Sequence, residues 1–236
     1  MRRVRRLKTG GVVVGRMAKG CRLCILGAKM VLFITGLCDL NCYYCPISYK
    51  RRGKDLIYAD EVLVEKDEDI IREAKLIRAL GTGITGGEPL MVPERVLYYI
   101  NLLKEVFGKK HHIHLYTYGR NLDESLMGKL AEAGLDEIRF HADIENSTLW
   151  ERVLIAKGFD WDIGVEIPAI PGKLNQTKKL IDYFHDIIYF HFYCNCIFYG
   201  IAMGSSNAIY YRAICWVYFI RVWAYLYNLC IFKIID

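Results

Sequence analysis

The chain has 236 residues, 53% of them hydrophobic, and a formal net charge of +6. That is enough apolar material for one buried core with an appendage, and it excludes fibrous, collagenous and wholly disordered classes. The positive excess carries little, because five bases (Arg2, Arg3, Arg5, Arg6, Lys8) stand in the first eight residues, where such a run reads as a solvated tail.

In chain order, Met1 to Lys8 is a basic head with no apolar h-region behind it, so a secretory signal is not expected and the cytoplasm is the default compartment. In that compartment nine clustered cysteines point to metal or redox chemistry rather than disulfides. The Gly10–Arg16 stretch has neither the Lys nor the Ser/Thr of a phosphate loop. Residues 1–27 form the head and the segment carrying Cys21 and Cys24, residues 28–186 a core, and residues 187–236 a tail of different character.

The core alternates β and α. Helices are expected over 67–80 (Ile70, Ala74, Ile77 and Leu80 on one face, Gly81 as the stop), 93–107 (Pro93 in the first turn, Gly108 as the stop), 123–133, 147–157 and 175–185. Short β-type runs fall at 30–35, 83–85, 113–117, 137–140 and 163–167. One strand per ~30 residues argues for βαβ units and a parallel sheet. Periodicity does not choose between an open doubly wound layer and a barrel, but in both the ligands sit beyond the carboxyl ends of the strands.

There, directly after the first of these strands, stand Cys38, Cys42 and Cys45 in one loop, Cys38-Asp39-Leu40-Asn41-Cys42-Tyr43-Tyr44-Cys45. Three thiolates are one short of a closed zinc or iron–sulfur site, which suggests a cluster with one iron left open. After the second strand comes Thr85-Gly86-Gly87-Glu88-Pro89. Two glycines allow close backbone approach to a ligand, with the Glu88 carboxylate beside them. A rival set, Cys21-x2-Cys24 followed after seventeen residues by Cys42-x2-Cys45, has the spacing of a zinc ribbon and would make the chain a metal-stapled binding module.

CxxxCx(aromatic)C, with Tyr44 at the aromatic position, followed by GGEP on the next strand, resembles the radical S-adenosylmethionine (radical SAM) enzymes. The run from Gly20 to Cys38 looks like an archaeal-type subgroup related to glycyl-radical-enzyme activases. The resemblance covers residues 29 to about 185 and implies a partial (β/α) barrel. It implies a 4Fe-4S cluster on Cys38, Cys42 and Cys45, with SAM chelating the open iron and the Gly86-Gly87-Glu88 segment receiving its amino group. The chemistry implied is one-electron cleavage of SAM to a 5'-deoxyadenosyl radical that abstracts hydrogen, with a ferredoxin- or flavodoxin-like electron donor. No general base is required. The substrate is open: a protein fits an activase, while a nucleic acid stays in view only through the basic head.

By position at strand ends, Arg139, His141, Asp143 and Glu166 are candidates for the SAM ribose and carboxylate, His141 and Glu166 foremost. Tyr116 and Tyr118 close the third strand and could border the adenine or substrate. His111, His112 and His114 show no carboxylate partner at metal spacing and read as the start of that strand. Cys21 and Cys24 read equally as half of an auxiliary metal site or as partly buried thiols.

From Ile187 onward only Arg212, Arg221, Lys233 and Asp236 are charged, while 15 of the chain's 31 aromatics crowd into this stretch. Residues 187–211 satisfy the length criterion for a membrane segment, but His191, Asn195, Ser205, Ser206 and Asn207 interrupt the run. Charge, caps and periodicity vanish together, as an out-of-frame reading near codon 187 would make them do. The barrel is then expected to lack its sixth strand and end incomplete.

Overall fold

A computed structural model describes residues 4–6, 12–14, 17–168, 170, 172–184 and 192–195. In chain order its elements are β1 (Val4–Arg6), β2 (Val12–Val14), α1 (Lys19–Ile25), β3 (Lys29–Phe33), β4 (Tyr58–Ala59), β5 (Val62–Leu63), α2 (Asp67–Leu76), β6 (Gly81–Thr85), α3 (Pro93–Phe107), β7 (His112–Thr117), α4 (Glu124–Glu132), β8 (Glu137–Phe140), α5 (Trp150–Ala156), β9 (Asp162–Pro168), α6 (Leu174–Phe184) and β10 (Phe192–Asn195). They fall in two compact units, Ala18–Gly164 and a second drawn from residues 1–17 and 165–236.

In the larger unit the strand order is β8-β7-β6-β3-β4-β5. Strands β3, β6, β7 and β8 are parallel and run in sequence order, while β4 and β5 add an antiparallel hairpin at the edge. This decides what periodicity left open. Right-handed crossovers between sequential parallel strands put every intervening helix on the same face, as in a barrel, whereas a doubly wound layer reverses its strand order. The sheet does not close, so the fold is a partial (β/α) barrel.

The faces differ in chemistry. Met30, Leu32, Ile84, Ile113, Leu115, Ile138 and Phe140 alternate on one and are all buried. Helices α2, α3 and α4 carry the matching apolar stripes, among them Ile70 and Ala74, Val96, Ile100 and Leu103, Met127 and Leu130. Pro93 starts α3, and the Asp123 side chain accepts from the Leu126 N–H (2.7 Å) to cap α4. The opposite face carries Lys29, Gly81, Gly83, His112, His114, Tyr116, Glu137 and Arg139, with α1 packed across its start. Gly20 lets α1 approach, since a methyl there would fall 2.7 Å from Arg139 Nη2 and from His114 Nδ1.

Two expected boundaries change. The helix predicted to reach Leu80 ends at Leu76, because Arg78 turns left-handed (φ 53°) and the Leu80 N–H already donates to Ala28 O (2.8 Å). Gly81 therefore opens β6 instead of stopping a helix. The hairpin β4–β5 has no counterpart in the sequence reading, two-residue strands being too short for a period-two signal.

The second unit also departs from expectation. The head is not wholly a solvated tail, for the β-branched run Val12–Val14 pairs antiparallel with Val4–Arg6 while Arg5 and Arg6 stay exposed. Nor is a sixth parallel strand missing: β10 pairs with β9, Phe192 opposite Val165 and Asn195 opposite Pro168. Backbone pairing asks only for an extended, β-prone segment, so four residues of Phe-Tyr-Cys-Asn can add an edge without the caps and charge of a designed βα unit. The rest of 187–236 lies outside the described residues, as do Gly10, Gly11, Gly15 and Arg16. Among the described residues no helix is long and apolar enough to cross a membrane.

Candidate active site

The cysteine loop leaves β3 at the carboxyl end and is tied down at its base. Ile34 N–H donates to Thr85 O (2.8 Å), Gly36 N–H to Lys54 O (2.8 Å) and Gly53 N–H to Gly36 O (2.8 Å). Thr35 Oγ1 donates to Asp55 (2.8 Å), whose carboxylate also receives Arg95 of α3 through two N–H bonds of 2.6 and 2.9 Å. Further out, the Cys45 N–H donates to Cys42 O (3.1 Å), and Asp39 accepts from the Tyr118 phenol and from Arg120. The Tyr118 bond, with Arg120 beside it, holds Asp39 below the usual carboxylate range.

Cys38 is exposed, and Cys42 and Cys45 are half-buried; all three are free thiols. Burial pushes Cys38 and Cys42 up, with neighbouring carboxylates and thiols adding to the effect. A bound cation reverses that logic, since coordinated thiols are deprotonated outright. A cubane takes each thiolate on a different iron, and three thiols on one loop could supply three of the four.

The Gly86-Gly87-Glu88 segment packs against the start of this loop. Gly87 N–H donates to Thr35 O (2.8 Å) and Glu88 N–H to Leu37 O (2.7 Å). A methyl on Gly86 would lie 2.4 Å from Thr35 O, and one on Gly87 2.2 Å from Leu37 O. The closeness the glycines permit is therefore to the cysteine loop's own backbone. Glu88 is 1% exposed, and its carboxylate is occupied: Thr117 Oγ1 (2.6 Å) and Leu90 N–H (3.0 Å) donate to Oε1, and Tyr118 N–H (2.9 Å) to Oε2. Burial raises Glu88 against the pull of these three bonds. Glu88 thus braces the segment to the end of β7, a role its motif position does not announce. Thr117 and Asp39 were missed for the same reason: each acts on a partner more than 25 residues away, with no local signal.

Tyr44 and His141 do meet, Tyr44 Oη lying 3.0 Å from His141 Nε2 with the rings 5.7 Å apart. Asp143 stands close enough to raise both Cys42 and Tyr44, while its Oδ1 accepts from Glu145 N–H (2.8 Å) and Asn146 N–H (3.3 Å). Arg139 is not brought to this site. It is 1% exposed and donates to Glu137 (2.6 Å), Tyr116 Oη (2.7 Å) and Cys21 Sγ (3.4 Å), deeper along the sheet face. That also removes Tyr116 from the rim. Glu166 lies half-buried on β9 in the other unit, opposite Tyr193 in register.

The zinc-ribbon alternative fails on geometry. Cys21 and Cys24 sit on α1 at the amino end of β3, and Cys42 and Cys45 lie beyond its carboxyl end, with about 15 Å of strand between. No such four-cysteine group converges among the described residues.

Comparison with known proteins gives the family. The Radical SAM superfamily pattern matches residues 32–187, and the chain belongs to that superfamily, a class of iron–sulfur enzymes. It is 43% identical over 176 residues to a Methanocaldococcus jannaschii protein named as a glycyl-radical enzyme activating enzyme, a match covering 71% of this chain and 47% of that protein. The chain thus spans about half the length of this relative. Among solved structures it is similar to the radical S-adenosylmethionine methyltransferase TsrM of Kitasatospora setae. The form with tryptophan and aza-SAM bound gives a TM-score of 0.47 at 14% identity, over 74% of this chain and 37% of that one. The form with cobalamin and a [4Fe-4S] cluster gives 0.43 at 15% identity, over 68% and 34%.

Proposed function

We propose that the chain holds a 4Fe-4S cluster on Cys38, Cys42 and Cys45 and binds SAM at the open iron. Such a centre, when reduced, supplies one electron that splits SAM into methionine and a 5'-deoxyadenosyl radical able to abstract hydrogen. The observation that carries this reading is the seating of the Gly86-Gly87-Glu88 segment on the cysteine loop through Gly87–Thr35 and Glu88–Leu37 backbone bonds. Two motifs fifty residues apart then form one floor at the carboxyl end of the parallel strands, where ligands of such folds bind.

The protein's residues hold and shield. Asp39, Tyr118 and Arg120 fix the outer cysteine loop, Asp55 and Arg95 its base, and Glu88 the second segment. Tyr44 and His141 stand together beside the cysteine loop, and Glu166 of β9 is proposed as a further cofactor-binding residue. The electron comes from a ferredoxin- or flavodoxin-like donor, and the chain works in the cytoplasm, where its thiols stay reduced. We assign a protein substrate, a glycyl-radical enzyme whose glycine yields the hydrogen, on the strength of the relative's name.

Anaerobic reconstitution tests this directly. About four iron and four sulfide per chain are expected, with 5'-deoxyadenosine formed from SAM under strong reductant. Cys38→Ala, Cys42→Ala and Cys45→Ala should each abolish the cluster, and Cys21→Ala should spare it. Loss of all iron in Cys21→Ala would overturn the ligand assignment.

A further inference from the structure

We propose that His112, His114 and Glu137 form a second metal site, for a divalent cation such as zinc, at the end of the sheet away from the cysteine loop. Nothing in the cluster chemistry above uses these residues.

His112 and His114 alternate on β7 and so share one face, and the parallel register sets Glu137 of β8 beside His114. One ligand atom from each side chain comes within 4.8 Å of the others. The three are 2%, 1% and 0% exposed. Two of their polar atoms, His112 Nδ1 and Glu137 Oε2, have no hydrogen-bond partner. An unpaired buried carboxylate oxygen is unfavourable, and a cation held between Glu137 Oε2 and His112 Nε2 would satisfy it. Arg139 Nε donates to Glu137 Oε1 (2.6 Å), which orients the carboxylate and leaves Oε2 toward His112 Nε2 at 3.5 Å.

Two imidazoles and a carboxylate suit zinc or another borderline divalent cation. Helix α1 lies over the cluster, with Gly20 within contact distance of His114, Glu137 and Arg139. A covered site of this kind loads as the chain folds. Lys29 opposes it, since its amine sits on the His114 ring, 2.8 Å from Nε2. Lys29 is therefore a competitor for His114, and the metal-bound state needs that amine displaced. Cys21, buried and accepting from Arg139 Nη2 at 3.4 Å, would as a thiolate offset part of the extra positive charge.

The test uses the full chain with Cys38, Cys42 and Cys45 all replaced by Ala, so the first cluster's fate does not enter. Produced in cobalt-supplemented medium, this chain should retain one cobalt with the ligand-field absorption of a nitrogen and oxygen set. Glu137→Gln, and His112→Gln with His114→Gln, should each lower retention roughly tenfold or more, and Lys29→Met should raise it. Persistence of that absorption in the histidine double variant, or less metal in Lys29→Met, overturns the ligand set. If the histidine variants do not fold, thermal unfolding of the parent chain decides. A higher midpoint in the cobalt-grown protein is expected, and equal midpoints with and without the metal overturn the site.

Discussion

The phenol of Tyr118 donates to the carboxylate of Asp39, joining the end of β7 to the loop that carries Cys38, Cys42 and Cys45. The two residues stand 79 positions apart. The Tyr118 backbone N–H also donates to Glu88, so one residue ties both motifs of the site together.

Cutting that tie should loosen the loop without removing a ligand. Asp39→Asn and Tyr118→Phe are each expected to assemble the cluster but to release iron to a chelator several-fold faster, consistent with a loss of about 1 kcal/mol at this partly exposed pair. The double variant should be little worse than Asp39→Asn alone, because that change already weakens the Tyr118 bond along with the Arg120 ion pair. Additive rates would separate the residues.

Glu88 offers a sharper contrast. A carboxylate that only received a ligand's ammonium could be changed to Gln with weaker SAM binding and unchanged stability. The buried brace predicts the reverse order of effects. Glu88→Ala leaves three donors without their acceptor and should destabilise the folded chain by about 3 kcal/mol or more, while Glu88→Gln sets an amide NH2 against a donor and should lower stability less. Denaturant unfolding without SAM reads both.

Tyr44→Phe removes the hydroxyl 3.0 Å from His141 Nε2 while keeping the ring. Iron content should be unchanged, and SAM affinity should fall roughly five-fold, the effect of about 1 kcal/mol from one neutral hydrogen bond. Equal loss of iron and of affinity would place Tyr44 in cluster assembly instead.

The hydrogen bonds from Arg95 hold Asp55 below its ordinary range. A depressed carboxylate contributes stability that is complete above its unfolded value, near 3.9, and disappears as pH falls through the lower folded one. Acid unfolding of Asp55→Asn should therefore be less steep below about pH 4, with a difference under about 1 kcal/mol because the pair is partly exposed. Parallel curves for the two chains would remove Asp55 from the acid response.

The tail can be checked without protein. We propose that residues 187–236 are read out of frame, because charge, caps and periodicity vanish together there. Resequencing the gene should find a one- or two-base difference near codon 187 that restores a charged, capped βα sequence. An unaltered frame would instead make β10 the native edge of the sheet.

Some of this protein is decided locally and was legible as such. Helix starts at Pro93 and Asp123, the alternating strands and the three cysteines in one loop are short-range facts, because caps, periodicity and ligand spacing act within a few residues. The course of the sheet was not legible. Strand order, hence barrel against doubly wound layer, depends on which strands pair, and pairing is a non-local choice. The same limit hid Glu137 as a carboxylate for His112 and His114, since register supplies it from the neighbouring strand. It hid Glu88 as a brace, because Thr117 and Tyr118 reach it only once β7 lies beside β6. And it separated Cys21 from Cys42, whose spacing suits a ribbon until a rigid strand of a larger sheet is placed between them.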